Sequence, residues 1–243
     1  MFSITISGMI QMKITLTGID SRTDITNLPD VGGEYSLEYA ILISRTKEGK
    51  EPRYPSYIKA AQMLNQLQDT QIMAAHLCGA PAREILAGQV PQELDWLRAG
   101  LVERIQVNAN ERDTLKGWET AAKIIQAHGI IPIFQWRRDT WPTFMDGKGV
   151  DVLLDRSGGR GIIEQNWPVR GSYKGNIGYA GGLGPDNLPL KLIVDAGKMP
   201  DNQSDLNIWI DMESSLRTND WFDTKKALQV LMKMDDHFEY NYN

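Results

Sequence analysis

Asp155 is the carboxyl group most suited to catalysis in this sequence, because it directly follows a short apolar run that would form a buried strand. Burial disfavours the charged form of a carboxyl group and raises its pKa, which suits the group to general-acid work. A structural ion pair with Arg156 or Arg160 would explain an aspartate here equally well, so both interpretations stay open on the sequence.

His76 and Cys78 follow another apolar run, and their spacing would place both side chains on one face of a strand. A buried small side chain for Cys78 and a hydrogen bond to a neighbouring strand for His76 are the ordinary alternatives. No histidine or cysteine pair stands at metal-ligand spacing, so the sequence predicts neither a metal site nor a cofactor.

The glycine-rich segment Gly181-Gly182-Leu183-Gly184 is typical of a loop that binds phosphate. Glycines let backbone N–H groups approach an anion, and Pro185 would open a helix whose N-terminus adds partial positive charge. Ser214 and Ser215 follow a later run and would supply hydroxyl groups to the same anion. A turn that needs glycine only for its backbone geometry is the alternative.

Other polar residues stand where further apolar runs end. They are Thr17, Arg45, Asn108, Arg137 and Asp211. In parallel α/β barrels the reactive groups project from the carboxyl ends of the strands, which share one face of the barrel. We therefore expect a single site there.

Eight short apolar runs are predicted to be the strands that position these residues. They are 13–17, 39–44, 71–75, 103–107, 130–135, 150–154, 176–180 and 207–211. Helices are predicted near 55–68, 81–87, 91–99, 111–128, 185–196 and 223–234. Alternating strands and helices indicate a parallel sheet, and eight strands in 243 residues predict an α/β fold, a single-domain (β/α)8 TIM barrel spanning 1–243. An open doubly wound sheet is the alternative.

Composition argues against several classes of protein. Hydrophobic residues make up 42 %, charged residues 23 %, and the net charge is −5, which argues against a broad nucleic-acid surface. No apolar run approaches the ~18 residues of a membrane span, and the N-terminus does not resemble a secretory signal. Cys78 is the sole cysteine, so no disulfide forms within the chain. We expect a cytoplasmic monomer or homodimer that contacts neither nucleic acid nor membrane.

The two ends of the chain are predicted to lie outside the barrel. Residues 1–12 are a possible N-terminal extension, because the first clear strand begins at Lys13. Residues 235–243 are polar and are expected to form a frayed tail.

These motifs, taken in order, resemble those of phosphoribosylanthranilate isomerase, the (β/α)8 enzyme of tryptophan biosynthesis. Its Leu-Leu-Asp followed by Gly-Gly-x-Gly is similar to 153–155 and 158–161, and its Gly-Gly-Leu-x-Pro-x-Asn to 181–187. Four further matches are weaker. The family's Lys-Ile-Cys-Gly segment corresponds to residues 15–18 and its Ser-x-Arg-Tyr segment to residues 51–54. Its Gln-Leu-His-Gly segment corresponds to residues 106–109 and its Asp-Val-Ser-Ser-Gly segment to residues 211–215.

The resemblance implies an Amadori-type aldose–ketose isomerisation, in which a phosphoribosyl ring attached to anthranilate is opened. It implies that Asp155 protonates the ring oxygen and that Arg53 binds the anthranilate carboxylate. It also implies that Gly181, Gly182 and Ser214 hold the phosphate of a small phosphorylated substrate.

Thr17 departs from the family, because it stands where the family keeps the cysteine that removes the C2′ proton. A hydroxyl group is too weakly acidic to act as that base unaided, whereas a thiol titrates at about 8.5. The candidate catalytic residues are therefore Asp155, Thr17 and, as a substitute base, Cys78. Asn108 and Ser215 also replace a family histidine and glycine. The predicted substrate-binding residues are Arg53, His76, Asn108 and Asp211.

Three functions remain open on the sequence. The first is the isomerase. The second is a different sugar-phosphate enzyme, either a metal-dependent epimerase using His76, Asp155 and Asp211, or an aldolase, whose lysine is missing from the strand ends. The third is a non-catalytic sugar-phosphate-binding relative, which would need no base.

Overall fold

The chain forms a closed barrel of eight parallel strands in a computed structural model. The structure describes residues 12–30, 35–98, 100–108, 111–138, 140–157, 160–163, 167–171, 173–197 and 208–242. The strands are β1 (Met12–Thr17), β2 (Tyr35–Ile43), β3 (Ile72–Cys78), β4 (Arg104–Asn108), β5 (Ile131–Trp136), β6 (Asp151–Leu154), β7 (Ile177–Tyr179) and β8 (Ile208–Met212). Each strand pairs with the next along the chain, and β1 pairs with β8. The predicted (β/α)8 TIM barrel is confirmed, and the open sheet is wrong.

Five α-helices cover the barrel in the described part of the chain. They are α1 (Tyr57–Leu67), α2 (Ala80–Leu86), α3 (Glu111–Ala127), α4 (Leu190–Gly197) and α5 (Thr224–Tyr242). The segments described after β1 and β5 contain only short 3-10 turns, at Ile25–Asn27 and Thr143–Met145. The sequence pattern likewise predicts no helix in either segment.

Two predicted helices differ from the structure. The helix expected at 91–99 is a 3-10 turn at Gln92–Asp95, with Gly100 in the left-handed region a few residues later. The helix expected to open at Pro185 begins instead at Leu190. Asn187 closes a turn there, because its side-chain amide donates to the Gly182 carbonyl oxygen at 2.7 Å. Pro189 then disfavours a helical backbone in the residue before it.

The predicted chain ends also differ from the structure. Met12 is buried and opens β1, whereas residues 1–11 lie outside the described residues. The tail expected to fray from 235 continues α5 as far as Tyr242. The Tyr35 hydroxyl group donates to the Asp235 carboxylate at 2.7 Å, which ties this part of the helix to β2.

A buried ionic layer fills the barrel near the amino ends of its strands. Arg104 on β4 donates to Glu38 on β2 at 2.6 and 2.8 Å and to Asp151 on β6 at 3.0 Å. Thr15 on β1 donates to the same Glu38 at 2.8 Å. Side chains from alternate strands form such layers in barrels of this kind. This ionic layer fills the barrel interior below the carboxyl ends of the strands.

A small hairpin follows β8 and lies beside the carboxyl end of the barrel. Its strands are β9 (Arg217–Thr218) and β10 (Trp221–Phe222), joined through Asn219 and Asp220, which both have positive φ. Two-residue hairpin turns of this kind require that conformation and tolerate asparagine and aspartate there. The hairpin brings Asp220 towards the loop after β2.

No helix in the described part of the chain is long and apolar enough to cross a membrane.

Candidate active site

Five of the predicted side chains meet in one cavity at the carboxyl end of the barrel. They are Asp155 after β6, Asp211 on β8, Ser214 after β8, His76 on β3 and Asn108 on β4. The cavity has a volume of about 40 Å³, enough for a few water molecules rather than for a sugar phosphate. The strand ends therefore converge as the fold predicts, and the space between them is narrow.

Asp155 is buried, and both oxygens of its carboxylate accept hydrogen bonds. Gln135 on β5 donates to Oδ2 at 2.6 Å, and the Ser157 hydroxyl group donates to Oδ1 at 2.6 Å. Ser157 in turn accepts from the Arg160 backbone N–H at 3.2 Å. These bonds orient the carboxyl group towards the cavity.

Asp211, at the mouth of the barrel, has a strongly raised pKa. Burial raises its pKa to about 8, and the negative charges of Glu213, Asp155 and Glu38 act in the same direction. Thr17 opposes this by donating a hydrogen bond of 2.5 Å to Oδ1. Thr17 itself has no exposed surface and lies behind Asp211 rather than in the cavity lining. A threonine in the family's cysteine position therefore acts on the cavity only through Asp211.

His76 and Cys78 have different surroundings although they share a strand face. Burial lowers the pKa of His76 to about 4, so the imidazole is neutral at physiological pH. Burial raises the pKa of the Cys78 thiol to about 12, and the thiol accepts from the Asn108 amide at 3.3 Å. Cys78 does not line the cavity. A thiol that is so rarely ionised is a poor substitute base.

Arg53 binds carboxylates of its own chain in this structure. Its guanidinium group donates to Glu213 at 2.7 Å and forms an ion pair with Asp220 of the hairpin. Burial raises the pKa of Glu213, whereas the positive charge of Arg53 lowers it. A substrate carboxylate would reach Arg53 only by displacing one of these partners.

The glycine loop after β7 is covered by the segment 160–163. Gly181 and Gly182 both have positive φ and line the cavity with Ser214. A Cβ atom on Gly182 would lie 2.7 Å from the Gly161 carbonyl oxygen. Close approach within the chain therefore requires glycine at 182, and this favours the structural alternative at that residue.

The hydroxyl group of Ser215 bonds the Leu183 carbonyl oxygen, and its side chain lies directly against Gly184. It joins the loops after β7 and β8 and does not line the cavity. Of the two predicted serines, only Ser214 faces the space in which an anion would bind.

Sequence reasoning missed four polar residues in the cavity lining. Gln106 and Gln135 lie on β4 and β5, Ser157 follows β6, and Glu213 lies directly after β8. Side chains two residues apart on a strand share a face, so Asn108 and Arg137 could have indicated Gln106 and Gln135. Glu213 has no such signal, because it follows the end of its strand.

Arg45 does not take part in the site. Its guanidinium group donates to Glu84 and Glu93 at 2.6 to 2.8 Å in the outer layer. A larger cavity of about 340 Å³ lies there beside Trp96, and it shares no lining residue with the barrel mouth. In the described residues, no group of three or more histidine, cysteine, aspartate or glutamate side chains is placed to hold a metal ion. The paired glycines Gly158-Gly159 lie outside the described residues.

Solved structures similar to this chain include phosphoribosylanthranilate isomerases. The enzyme from Thermus thermophilus is 14 % identical, with a TM-score of 0.61 over 93 % of this chain and 100 % of that one. The enzyme from Pyrococcus furiosus is 13 % identical, with a TM-score of 0.57 over the same shares. The chain shares the fold of these isomerases. The predicted resemblance is therefore confirmed at the level of the fold.

A further phosphoribosylanthranilate isomerase was solved in complex with reduced 1-(o-carboxyphenylamino)-1-deoxyribulose 5-phosphate. It is 14 % identical, with a TM-score of 0.52 over 93 % of this chain and 100 % of that one. No family model matches the sequence, and no curated protein matches it.

Proposed function

We propose that this chain is an isomerase of the phosphoribosylanthranilate isomerase type, which binds a phosphorylated ribose-type substrate and catalyses an Amadori-type aldose–ketose isomerisation. The observation that carries the proposal is that the buried carboxyl group of Asp155 lines the same cavity as Gly181, Gly182 and Ser214. For this reaction an acid and a phosphate-binding loop must both reach the same sugar phosphate. The ligand of the similar isomerase is the reduced form of a phosphorylated amino ketose, and it therefore resembles the proposed product class.

Asp155 would donate its proton to the ring oxygen of the substrate. Gln135 and Ser157 hold the carboxyl group in place, so little reorganisation would be needed when the proton moves. The backbone N–H groups after β7 and the Ser214 hydroxyl group would bind the phosphate.

Binding requires the segment 160–163 to move away from Gly182, because it covers the loop and the cavity holds only about 40 Å³. An anthranilate carboxylate would further require Arg53 to release Glu213 or Asp220. We therefore expect weaker binding than a preformed pocket would give.

Turnover of phosphoribosylanthranilate, followed by its loss of fluorescence, tests the proposal, alongside calorimetry with ribose 5-phosphate. Asp155→Asn should slow turnover at least 100-fold. Asp69→Asn is the matched control, because Asp69 is exposed and lies beyond the end of α1. Full activity in Asp155→Asn would refute the acid assignment.

A non-catalytic sugar-phosphate-binding protein is the second candidate. It is favoured by one observation, namely that Thr17 occupies the family's base position and is sealed from the cavity. Binding of ribose 5-phosphate without turnover would select it.

A further inference from the structure

The proposed isomerisation needs a base, and only a few titratable side chains among the described residues around the cavity could provide it. Cys78 does not line the cavity, and burial raises its pKa to about 12. His76 lines it, but burial lowers its pKa to about 4, which makes the imidazole a weak base. Glu213 accepts a 2.7 Å hydrogen bond from Arg53, and the positive charge of Arg53 makes its carboxylate less basic. Asp155 is the proposed acid, so Asp211 is the remaining titratable group of the described lining.

Asp211 stands next to the position of the missing cysteine. β1 and β8 are neighbours, with Leu16 opposite Met212, and Thr17 donates to Asp211 across the strand pair at 2.5 Å. Asp211 is 8 % exposed and reaches the cavity, whereas Thr17 is sealed behind it. A basic group is thus present beside the family's position, on the adjacent strand.

We propose, on the basis of the proposed isomerisation, that Asp211 is its catalytic base and that Thr17 is a positioning residue that orients the Asp211 carboxylate. In the isomerase family that this chain resembles, a cysteine on the first strand acts as the base. Here we assign that role to Asp211 on the eighth strand.

The proton movements balance without any further reactant. Asp155 gives its proton to the ring oxygen, the bond from C1′ to that oxygen breaks, and the nitrogen lone pair forms a C1′=N double bond. The Asp211 carboxylate then takes the C2′ proton. The electrons of the C2′–H bond form C1′=C2′, and the C1′=N pair returns to nitrogen. The resulting enol takes a proton at C1′ from Asp211 and gives its O2′ proton to the Asp155 carboxylate, which restores both side chains and gives the amino ketose.

The surroundings of Asp211 make it basic enough for this step. Burial raises its pKa to about 8, helped by the negative charges of Glu213 after β8, Asp155 after β6 and Glu38 on β2. That value is close to the ~8.5 of an ordinary thiol. Thr17 from β1 lowers the pKa through its hydrogen bond. Because Asp155 must keep its proton while Asp211 has lost its own, we expect kcat/KM to fall on both sides of an optimum pH, with the midpoint of one limb near 8.

Asp211→Asn tests the role, because it keeps the shape of the side chain and its contact with Thr17 while removing the basic oxygen. We expect kcat/KM to fall at least 100-fold, against no change in Asp69→Asn. Thr17→Val should move the pH midpoint of kcat/KM upwards, because it removes a bond that lowers the pKa. Glu213→Gln should move it downwards, because it removes a negative neighbour. A merely structural role of Thr17 or Glu213 would change the amplitude of the profile and leave its midpoint in place.

The outcomes separate this inference from the proposed function. Wild-type turnover that persists within threefold in Asp211→Asn overturns the inference alone. Wild-type protein that binds ribose 5-phosphate without turning over phosphoribosylanthranilate overturns the proposed function. Carbon-13 NMR of carboxyl-labelled aspartate adds a readout that needs no turnover. An Asp211 resonance that titrates near 8 and moves up in Thr17→Val supports the inference, and one that titrates below 5 overturns it.

Discussion

Replacing Asp211 with asparagine should make the free energy of unfolding less dependent on pH. The folded-state pKa is raised from 3.8 to about 8, so between these values the folded chain keeps a proton that the unfolded chain has released. Stability contributed by this proton is complete below the unfolded pKa and is lost as pH rises through about 8. Between pH 5.5 and 8 the loss amounts to roughly 3 kcal/mol, at about 1.4 kcal/mol for each pKa unit.

Urea unfolding of wild type, Asp211→Asn and Asp69→Asn at pH 5.5, 7 and 8.5 measures this effect. The difference in unfolding free energy between Asp211→Asn and wild type should shift by roughly 3 kcal/mol in favour of the variant as pH rises. Asp69→Asn should follow wild type, because Asp69 is exposed. Parallel curves for Asp211→Asn and wild type would refute the raised pKa and, with it, the basicity on which the catalytic role depends.

Three further changes probe other parts of the structure. Iodoacetamide should alkylate Cys78 at pH 7.5 about 1,000-fold more slowly in the folded protein than in urea, because burial raises the pKa of the thiol from 9.0 to about 12. Alkylation rates within tenfold of each other in the two conditions would contradict this expectation. Glu38→Gln should destabilise the protein by about 3 kcal/mol in urea unfolding, because it leaves the buried Arg104 short of a charge partner. Gly182→Ala should cost about 2 kcal/mol, because φ is positive and the new Cβ atom would meet the Gly161 carbonyl oxygen. An unchanged urea midpoint in either of these two variants would count against the packing described.

The strand pattern of this chain could be predicted because apolar runs report local structure. All eight predicted strands are present, and His76, Asn108 and Asp211, near the carboxyl ends of β3, β4 and β8, line one cavity with Asp155. Helix starts were harder to predict. Pro185 suggested a helix start, but Asn187 closes a turn on Gly182 instead, and α4 begins at Leu190.

Long-range partners could not be predicted from the sequence. Arg53 and Glu213 are 160 residues apart, and only the closed barrel brings them to 2.7 Å. The bond between Thr17 and Asp211 spans 194 residues and depends on β1 pairing with β8. The same closure creates the charged surroundings that raise the pKa of Asp211. The sequence therefore indicated the place of the site better than the roles of its residues.

Turnover of phosphoribosylanthranilate by wild type, Asp155→Asn and Asp69→Asn tests the central claim most directly. We expect loss of substrate fluorescence with wild type and Asp69→Asn, and a rate at least 100-fold lower with Asp155→Asn. Ribose 5-phosphate binding by wild type without any turnover would contradict the claim and leave a sugar-phosphate-binding barrel.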